Sequence, residues 1–224
     1  MKYLLTFLMF LNISCAGLTP AQKTALGLQF AACSAESISA PVTSWVSDVI
    51  SSDPNWKYKL GASAGGALGK EIVCAIQLLA ASAMAPRTAD ASNSVGTSEA
   101  VTSNAAKFLQ EIRTGKLSVV VPFEVPDLTL CTSQSKTVPW ISALMHADPT
   151  WFVRVQADLR GPFGQDIACT MLALANEPDM GHMKTTYESC KTSMSSCLTI
   201  PQRASYFIVD MVSQRKIRYV PLPG

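Results

Sequence analysis

Two histidines, His146 and His182, are the residues of this 224-residue chain best suited to acid–base chemistry. A histidine titrates near neutral pH, so either one could serve a hydrolase as general base if a carboxylate oriented its ring. His146 falls near the end of a predicted helix, where a positive charge is favoured, so a solvated structural position explains it more simply. His182 stands in a polar stretch, where it could instead contact a partner.

Carboxylates offer a second chemistry, because paired acids can hydrolyse glycosidic bonds. Ion pairs with Lys70 or Arg160 on a solvated helix face account for these acids without catalysis. The sequence contains no nucleophile elbow, zinc-protease helix or phosphate-binding loop, and no Cys-x-x-Cys spacing that would indicate a metal site. We therefore favour a protein that is not an enzyme and needs no cofactor or metal. The acids at helical positions are Asp48, Glu71, Asp158 and Asp166.

A 36-residue block organises the rest of the chain, since residues 45–80 recur without gaps as residues 140–175. Twelve of these positions are identical, whereas composition alone would give about two or three. We therefore predict a tandem duplication, with residues 17–125 as the first repeat and 126–224 as the second. The recurring residues include Trp45/Trp140, Asp53/Asp148, Pro54/Pro149, Trp56/Trp151, Gly66/Gly161 and Cys74/Cys169.

Apolar residues at helical spacing predict a mainly α fold for each repeat, as in the stripe Val42, Trp45 and Val49. At each Asp-Pro step the proline ends one helix, and we expect the next to be capped by the aspartate and opened by the proline. A cysteine-bearing helix is predicted over 68–83 and again over 163–176. Further helices are predicted over 101–112 and 201–212, and a short β-strand that ends each repeat over 117–121 and 217–220.

The first 16 residues have the composition of a secretory signal peptide, with one lysine, an apolar run over 3–13 and small residues up to Ala16. This run is shorter than the roughly 20 apolar residues that span a bilayer, and no later run reaches that length, so we predict no transmembrane helix. Ile13-Ser14-Cys15 also resembles the end of a bacterial lipobox. In that alternative Cys15 would carry a lipid anchor.

An even number of cysteines remains after Cys15, which predicts disulfides in an exported chain. The duplication favours one bridge per repeat, and closing loops of about 40 residues would stabilise the fold by roughly 3 to 4 kcal/mol each. A third bridge would clip a polar loop, residues 179–199, that is specific to the second repeat, and such loops often carry recognition. The predicted pairs are Cys33–Cys74, Cys131–Cys169 and Cys190–Cys197.

The block from Cys33 to Cys74 contains Val42-Thr43, a Val/Ile helix through Asp48-Val49-Ile50, Pro54, and an Ala/Leu-rich helix that reaches the closing cysteine. This arrangement resembles the cysteine-bracketed helical pair of the Rap1a/Tai immunity proteins, and here it occurs twice. Those proteins are small, helical and periplasmic, and they bind and neutralise toxins delivered by rival bacteria. The resemblance implies a periplasmic protein whose partner is another protein.

The charge balance, 18 Lys and Arg against 16 Asp and Glu, gives no basic surface for nucleic acid. We therefore predict a secreted or periplasmic binding module for a protein partner, of the inhibitor or immunity type, with His182, Met183 and Tyr187 as candidate contacts. Two alternatives stay open. One is a carrier that holds a small apolar ligand or lipid between the repeats, and the other is a hydrolase that uses His146 or His182.

Overall fold

The structure, a computed structural model, describes residues 40–84, 98–114, 124–176, 179–192 and 194–219. Within these ranges the chain is mainly α-helical and contains no β-strand, which confirms the predicted fold class. Two short 3-10 helices, Leu128–Leu130 and Met194–Ser196, join longer elements. The α-helices are α1 (Ala40–Ser52), α2 (Trp56–Ala64), α3 (Gly69–Met84), α4 (Glu99–Arg113), α5 (Ile141–Ala147), α6 (Trp151–Asp158), α7 (Gly164–Ala175), α8 (Met180–Cys190) and α9 (Ile200–Ser213).

Helices α1 and α2 are separated at an Asp-Pro step, as predicted, but α2 begins two residues after the proline. The Asp53 carboxylate accepts the backbone N–H of Asn55 at 2.8 Å, and the Asp53 carbonyl accepts that of Trp56 at 3.0 Å. The aspartate thus caps a turn ahead of the helix rather than the helix itself. Asp148 does the same before α6, where its carboxylate accepts the N–H of Thr150 at 2.7 Å.

In each half of the described chain, the tryptophan that begins the second helix packs on a phenylalanine of the last helix. The ring centroids of Trp56 and Phe108 are 5.1 Å apart, and those of Trp151 and Phe207 are 5.9 Å apart. All four rings are buried. Aromatic pairs of this kind contribute about 0.5–1.5 kcal/mol beyond the burial of their area. The tryptophans are therefore core residues, and in each half they pack the short second helix against the last helix of that half.

The first half, residues 40–114, and the second half, residues 124–219, share one continuous hydrophobic core. We call their contact the seam. Trp45 of α1 lies at its centre, with its ring 5.9 Å from that of Trp140 and 4.9 Å from that of Phe163, both in edge-to-face geometry. Trp45 and Trp140 occupy matching positions of the recurring block, so the two matching indoles meet each other across the seam.

Two of the predicted disulfides are present in the described chain. Cys131, which follows the first 3-10 helix, is bonded to Cys169 of α7. Cys190 at the end of α8 is bonded to Cys197, just ahead of α9. Both pairings confirm the predictions, and disulfides of this kind form and persist in oxidising compartments.

Other predictions concern residues that the structure does not describe. The signal peptide, Cys15 and the strand over 117–121 all lie outside the described residues. Cys74 is disulfide-bonded, and its predicted partner Cys33 also lies outside them.

The strand predicted over 217–220 is reduced to a single parallel bridge between Asp127 and Arg218. The N–H of Arg218 donates to the carbonyl of Pro126 at 2.7 Å, and the N–H of Leu128 donates to the carbonyl of Arg218 at 2.9 Å. Pairing stops there because Pro126 has no N–H to donate and the chain coils into a 3-10 helix at Leu128. The strand prediction is therefore wrong for the described part of this segment.

The segment 179–199, predicted as a polar loop, is mostly helical, because it contains α8 and the second 3-10 helix. Asp179 caps α8, and its carboxylate accepts the backbone N–H groups of Gly181 and His182 at 3.2 and 3.1 Å. Met180 and Met183 are buried at helical spacing. In the sequence, this helix is indicated by an N-cap aspartate followed by two methionines three residues apart.

We predict that the two described disulfides differ in their contribution to stability. The Cys131–Cys169 bridge has a sequence separation of 38 and the Cys190–Cys197 bridge a separation of 7. On the chain-entropy model the first should contribute about 4 kcal/mol and the second about 2.5 kcal/mol to the free energy of unfolding. Urea unfolding of the C131S/C169S and C190S/C197S variants measures both. A larger loss from the short clip would contradict this ranking.

Candidate functional site

A cluster of charged side chains crosses the seam at the start of α3. The guanidinium of Arg154 in α6 places Nη2 2.6 Å from both carboxylate oxygens of Glu71 and Nη1 2.6 Å from Asp148. The same guanidinium donates to the carbonyl of Ala67 at 2.9 and 3.0 Å. Glu71 therefore pairs with an arginine of the other half, and the expected pairing with Lys70 on a solvated face is wrong.

Asp158, at the end of α6, binds the turn of the other half that precedes α3. Its two carboxylate oxygens accept the backbone N–H groups of Ala67 and Leu68 at 2.9 and 2.7 Å. A carboxylate is favoured at this end of α3 because the N-terminal end of the helix dipole is positive. Gly66 makes the approach possible, since a Cβ there would lie 2.5 Å from Asp158 Oδ1.

The charged contacts of the two halves match only in part. Lys59 occupies the position of α2 that Arg154 occupies in α6, and its Nζ lies 2.8 Å from Asp53, the counterpart of Asp148. Across the seam the two cations differ, since Arg154 pairs with Glu71 whereas Lys59 Nζ lies 5.8 Å above the ring of Phe163.

The pKa values of the seam acids are shifted in different directions. Burial raises the pKa of Asp158 above its ordinary value of 3.8 and outweighs the N–H groups that it accepts. Burial likewise raises the pKa of Asp166, despite the nearby charges of Lys59 and Lys136. For Asp148 burial is outweighed, and hydrogen bonds from Thr150 and Arg154 hold its pKa below 3.8. The carboxylates of Asp148 and Asp158 are thus held by hydrogen bonds from side chains and backbone of the fold.

The seam encloses a space of about 10 Å³, lined mainly by apolar side chains. That volume would hold about one water molecule, whereas pockets for small ligands measure roughly 300–1,000 Å³. The carrier alternative places an apolar ligand between the repeats, and the seam as described has no room for one. The lining residues are Trp45, Ser63, Leu68, Ile72, Val138, Trp140, Asp158, Phe163 and Ile167.

A larger space lies on the surface of the second half. We call α8, the Cys190–Cys197 clip and α9 together the clipped hairpin. An open groove of about 420 Å³ runs beside this hairpin and reaches the end of α7 at Asn176. Its walls carry hydroxyl, amide and imidazole groups that can donate and accept hydrogen bonds. The lining residues are Ala175, Asn176, His182, Thr185, Thr186, Pro201, Gln202 and Ser205.

The base of the clipped hairpin is fixed by specific bonds. Thr199 and Gln202 form a capping box at the start of α9. Arg203 donates to the carbonyl of Cys197 at 3.0 Å and to the carbonyl of Met145 in α5 at 2.6 Å. These bonds hold the clip and the start of α9 against the rest of the second half. The groove therefore has rigid walls.

The predicted contact residues have three different environments. His182 is exposed and lines the groove. Met183 is fully buried, so its prediction as a contact is wrong, because at helical spacing it faces the core rather than solvent. Tyr187 is half-buried and stacks on Tyr206 of α9, with ring centroids 4.9 Å apart. His146 is exposed in the last turn of α5, and no carboxylate of the described chain hydrogen-bonds to it.

No protein-family model, no curated protein and no solved structure matches this chain. None of the helices in the described ranges is long and apolar enough to cross a membrane. Residues 40–84, 98–114, 124–176, 179–192 and 194–219 contain no group of three or more histidine, cysteine or acidic side chains that could hold a metal ion.

We predict that Arg154→Lys lowers the free energy of unfolding by about 1–3 kcal/mol, since an ammonium cannot bond Glu71, Asp148 and Ala67 together. The matched control is Lys57→Met, which breaks the more exposed pair with Glu111. That change should cost about 0–1 kcal/mol. Urea unfolding at neutral pH measures both variants. Equal losses would show that the seam cluster is no stronger than a surface ion pair.

We also predict a specific pH dependence for Asp158→Asn. Because the pKa of Asp158 is raised in the folded state, its contribution to stability is full below pH 3.8 and is lost as the pH rises through the folded pKa. Wild type should therefore lose stability relative to the variant as the pH rises above 3.8. Asp148→Asn should give the opposite sign, because a lowered pKa stabilises above 3.8 and that stabilisation is lost in acid. Unfolding curves across the acid range separate the two cases.

Proposed function

We propose that this chain is a secreted or periplasmic binding protein, without catalysis of its own, that engages another protein through the clipped hairpin. Inhibitors and immunity-type proteins work in this manner, and the resemblance to the Rap1a/Tai proteins favours that class. The main support for this proposal is the groove beside the hairpin. It is open, about 420 Å³ in volume and lined by exposed polar side chains such as His182 and Thr185.

The physical support is that the recognition surface is held in place before a partner arrives. A binding surface that is already ordered loses less conformational entropy on association, so more of its contact energy appears as affinity. The surface of the clipped hairpin is ordered in this way by the Cys190–Cys197 bond, the capping box of α9 and the two bonds from Arg203. The disulfides also fit a protein that works in an oxidising compartment.

We further propose that the scaffold arose by tandem duplication. The matching Trp45 and Trp140 meet across the seam, and the Trp–Phe contact of α2 with α4 recurs between α6 and α9. The clipped α8 has no counterpart among the described helices of the first half. In this proposal the recognition element is an addition to the second copy.

Site-specific photo-crosslinking in the producing cells and their secretions tests the proposed function. A photoreactive residue at Thr185, exposed in the groove, should form a light-dependent adduct with one discrete protein. The matched control is Ser103, which is exposed on α4 in the other half and should form none. Absence of an adduct at Thr185, or equal adducts at both positions, would contradict the proposal. Mass spectrometry of the adduct identifies the partner.

A further inference from the structure

A cluster of aromatic rings lies where α6, α8 and α9 meet. Tyr187 and Tyr206 stack with their planes 24° apart, and the ring of Phe152 in α6 lies 6.0 Å from that of Tyr206. Asp210 follows Tyr206 by four residues, so both side chains emerge on one face of α9. We call these four residues the tyrosine patch. All four are half-buried, so part of each side chain stays open to solvent.

Among the described residues, no lysine or arginine forms an ion pair with the carboxylate of Asp210. This carboxylate accepts a hydrogen bond from Gln214 Nε2 at 2.7 Å. Burial and then the negative charge of Asp210 raise the pKa of the neighbouring Tyr206. The patch therefore combines partly exposed aromatic rings with a carboxylate that has no ion-pair partner in the described part of the chain.

The first half shows how the corresponding position is filled. There Glu111 of α4 is paired with Lys57 of α2, whose Nζ lies 3.0 and 3.2 Å from the two carboxylate oxygens. The same Nζ lies 5.8 Å from the centroid of the Trp56 ring. A carboxylate beside aromatic rings thus binds an ammonium group of this chain.

The two positions correspond because each is fixed by the same Trp–Phe contact. Lys57 follows the tryptophan of α2, and Phe152 follows the tryptophan of α6. Glu111 and Asp210 each lie three residues after the phenylalanine that the tryptophan contacts. The second half has therefore replaced its lysine by Phe152 while keeping the acid.

We propose that the tyrosine patch binds an arginine side chain of the partner protein, which takes the place that Lys57 holds in the first half. The inference rests on the proposed function, because the ligand belongs to a protein partner. Arginine fits better than lysine, since a planar guanidinium can stack on a tyrosine ring while it donates hydrogen bonds to a carboxylate. The hairpin would thus combine a polar groove with one anchor for a cation.

A peptide titration followed by NMR tests the site on the full mature chain. The probe is acetyl-Gly-Arg-Gly-amide, and the neutral control is the same peptide with citrulline, which keeps the shape and loses the charge. The arginine peptide should cause saturable chemical-shift changes at Tyr187, Tyr206 and Asp210. Its affinity should be about five-fold higher than that of the citrulline peptide. Equal affinity for the two peptides, or shifts that map elsewhere, would overturn the proposal.

Three substitutions test the site further. Asp210→Asn removes the charge with little change of shape and should lower the affinity for the arginine peptide about five-fold. Glu188→Gln, on an exposed acid of α8 that pairs with Lys191, is the matched control and should leave it unchanged. Phe152→Lys should give Asp210 an internal partner, as Lys57 is for Glu111 in the first half. This lysine should compete with the peptide for the Asp210 carboxylate. An Asp210→Asn protein that binds the arginine peptide as well as wild type does would refute the site even if Phe152→Lys fails to fold.

The partner assay separates this inference from the proposed function. With the photoreactive residue at Thr185, Asp210→Asn should reduce the yield of the adduct several-fold, whereas Glu188→Gln should not. If the adduct forms with undiminished yield in Asp210→Asn, the cation site is wrong and the proposed function stands. If no adduct forms at Thr185 in wild type, the proposed function fails, and a positive peptide titration would then show a cation site without a protein partner.

Discussion

Arg154 joins the two halves of this protein, because its guanidinium binds Glu71 and the Ala67 carbonyl of one half while Asp148 of the other holds it in place. Removing charged groups from water is costly, and the cost is recovered only when every group finds a partner of good geometry. A guanidinium suits this task, since its fixed fork of donors can serve several acceptors together. Asp158 adds two hydrogen bonds across the same seam, to the turn that precedes α3.

The indoles of Trp45 and Trp140 form the apolar part of the same seam. They meet edge to face between the halves, and both are almost fully buried. Burial of apolar surface is the dominant favourable term in association, so we expect this contact to supply more free energy than the charged contacts do. The charged contacts add orientation, because each needs a partner of defined geometry.

Matching positions of the two halves make different contacts. Lys59 and Arg154 both pair with the aspartate of their own Asp-Pro step, but Arg154 also reaches across to Glu71. Phe152 stands where Lys57 stands in the first half, so the second half has no lysine at the position that pairs with Glu111. In the duplication and the binding site that we propose, the first position holds the halves together and the second is available to a partner. The clipped hairpin then gives the second half a rigid surface that the first half lacks among its described helices.

The amino-acid sequence alone determined the helices, the breaks at the two Asp-Pro steps and the pairing of four cysteines. These features depend on local periodicity and on spacing, which a sequence displays directly. It failed at residues 179–199, where only the cap at Asp179 and the spacing of Met180 and Met183 indicate a helix. At residues 217–220 an apolar run suggested a strand, but a strand needs a partner, and the proline and 3-10 helix at 126–130 supply only one bridge.

The tertiary structure alone decided which charges are partners. Glu71 is 83 residues from Arg154, and Leu68 is 90 residues from Asp158. For Glu71 the sequence offered an adjacent lysine that the fold does not use. The same holds for Asp210, which has no ion-pair partner among the described residues, whereas Glu111 at the matching position pairs with Lys57. The physical reason is that an ion pair depends on the distance between side chains in space, and packing of the whole chain sets that distance.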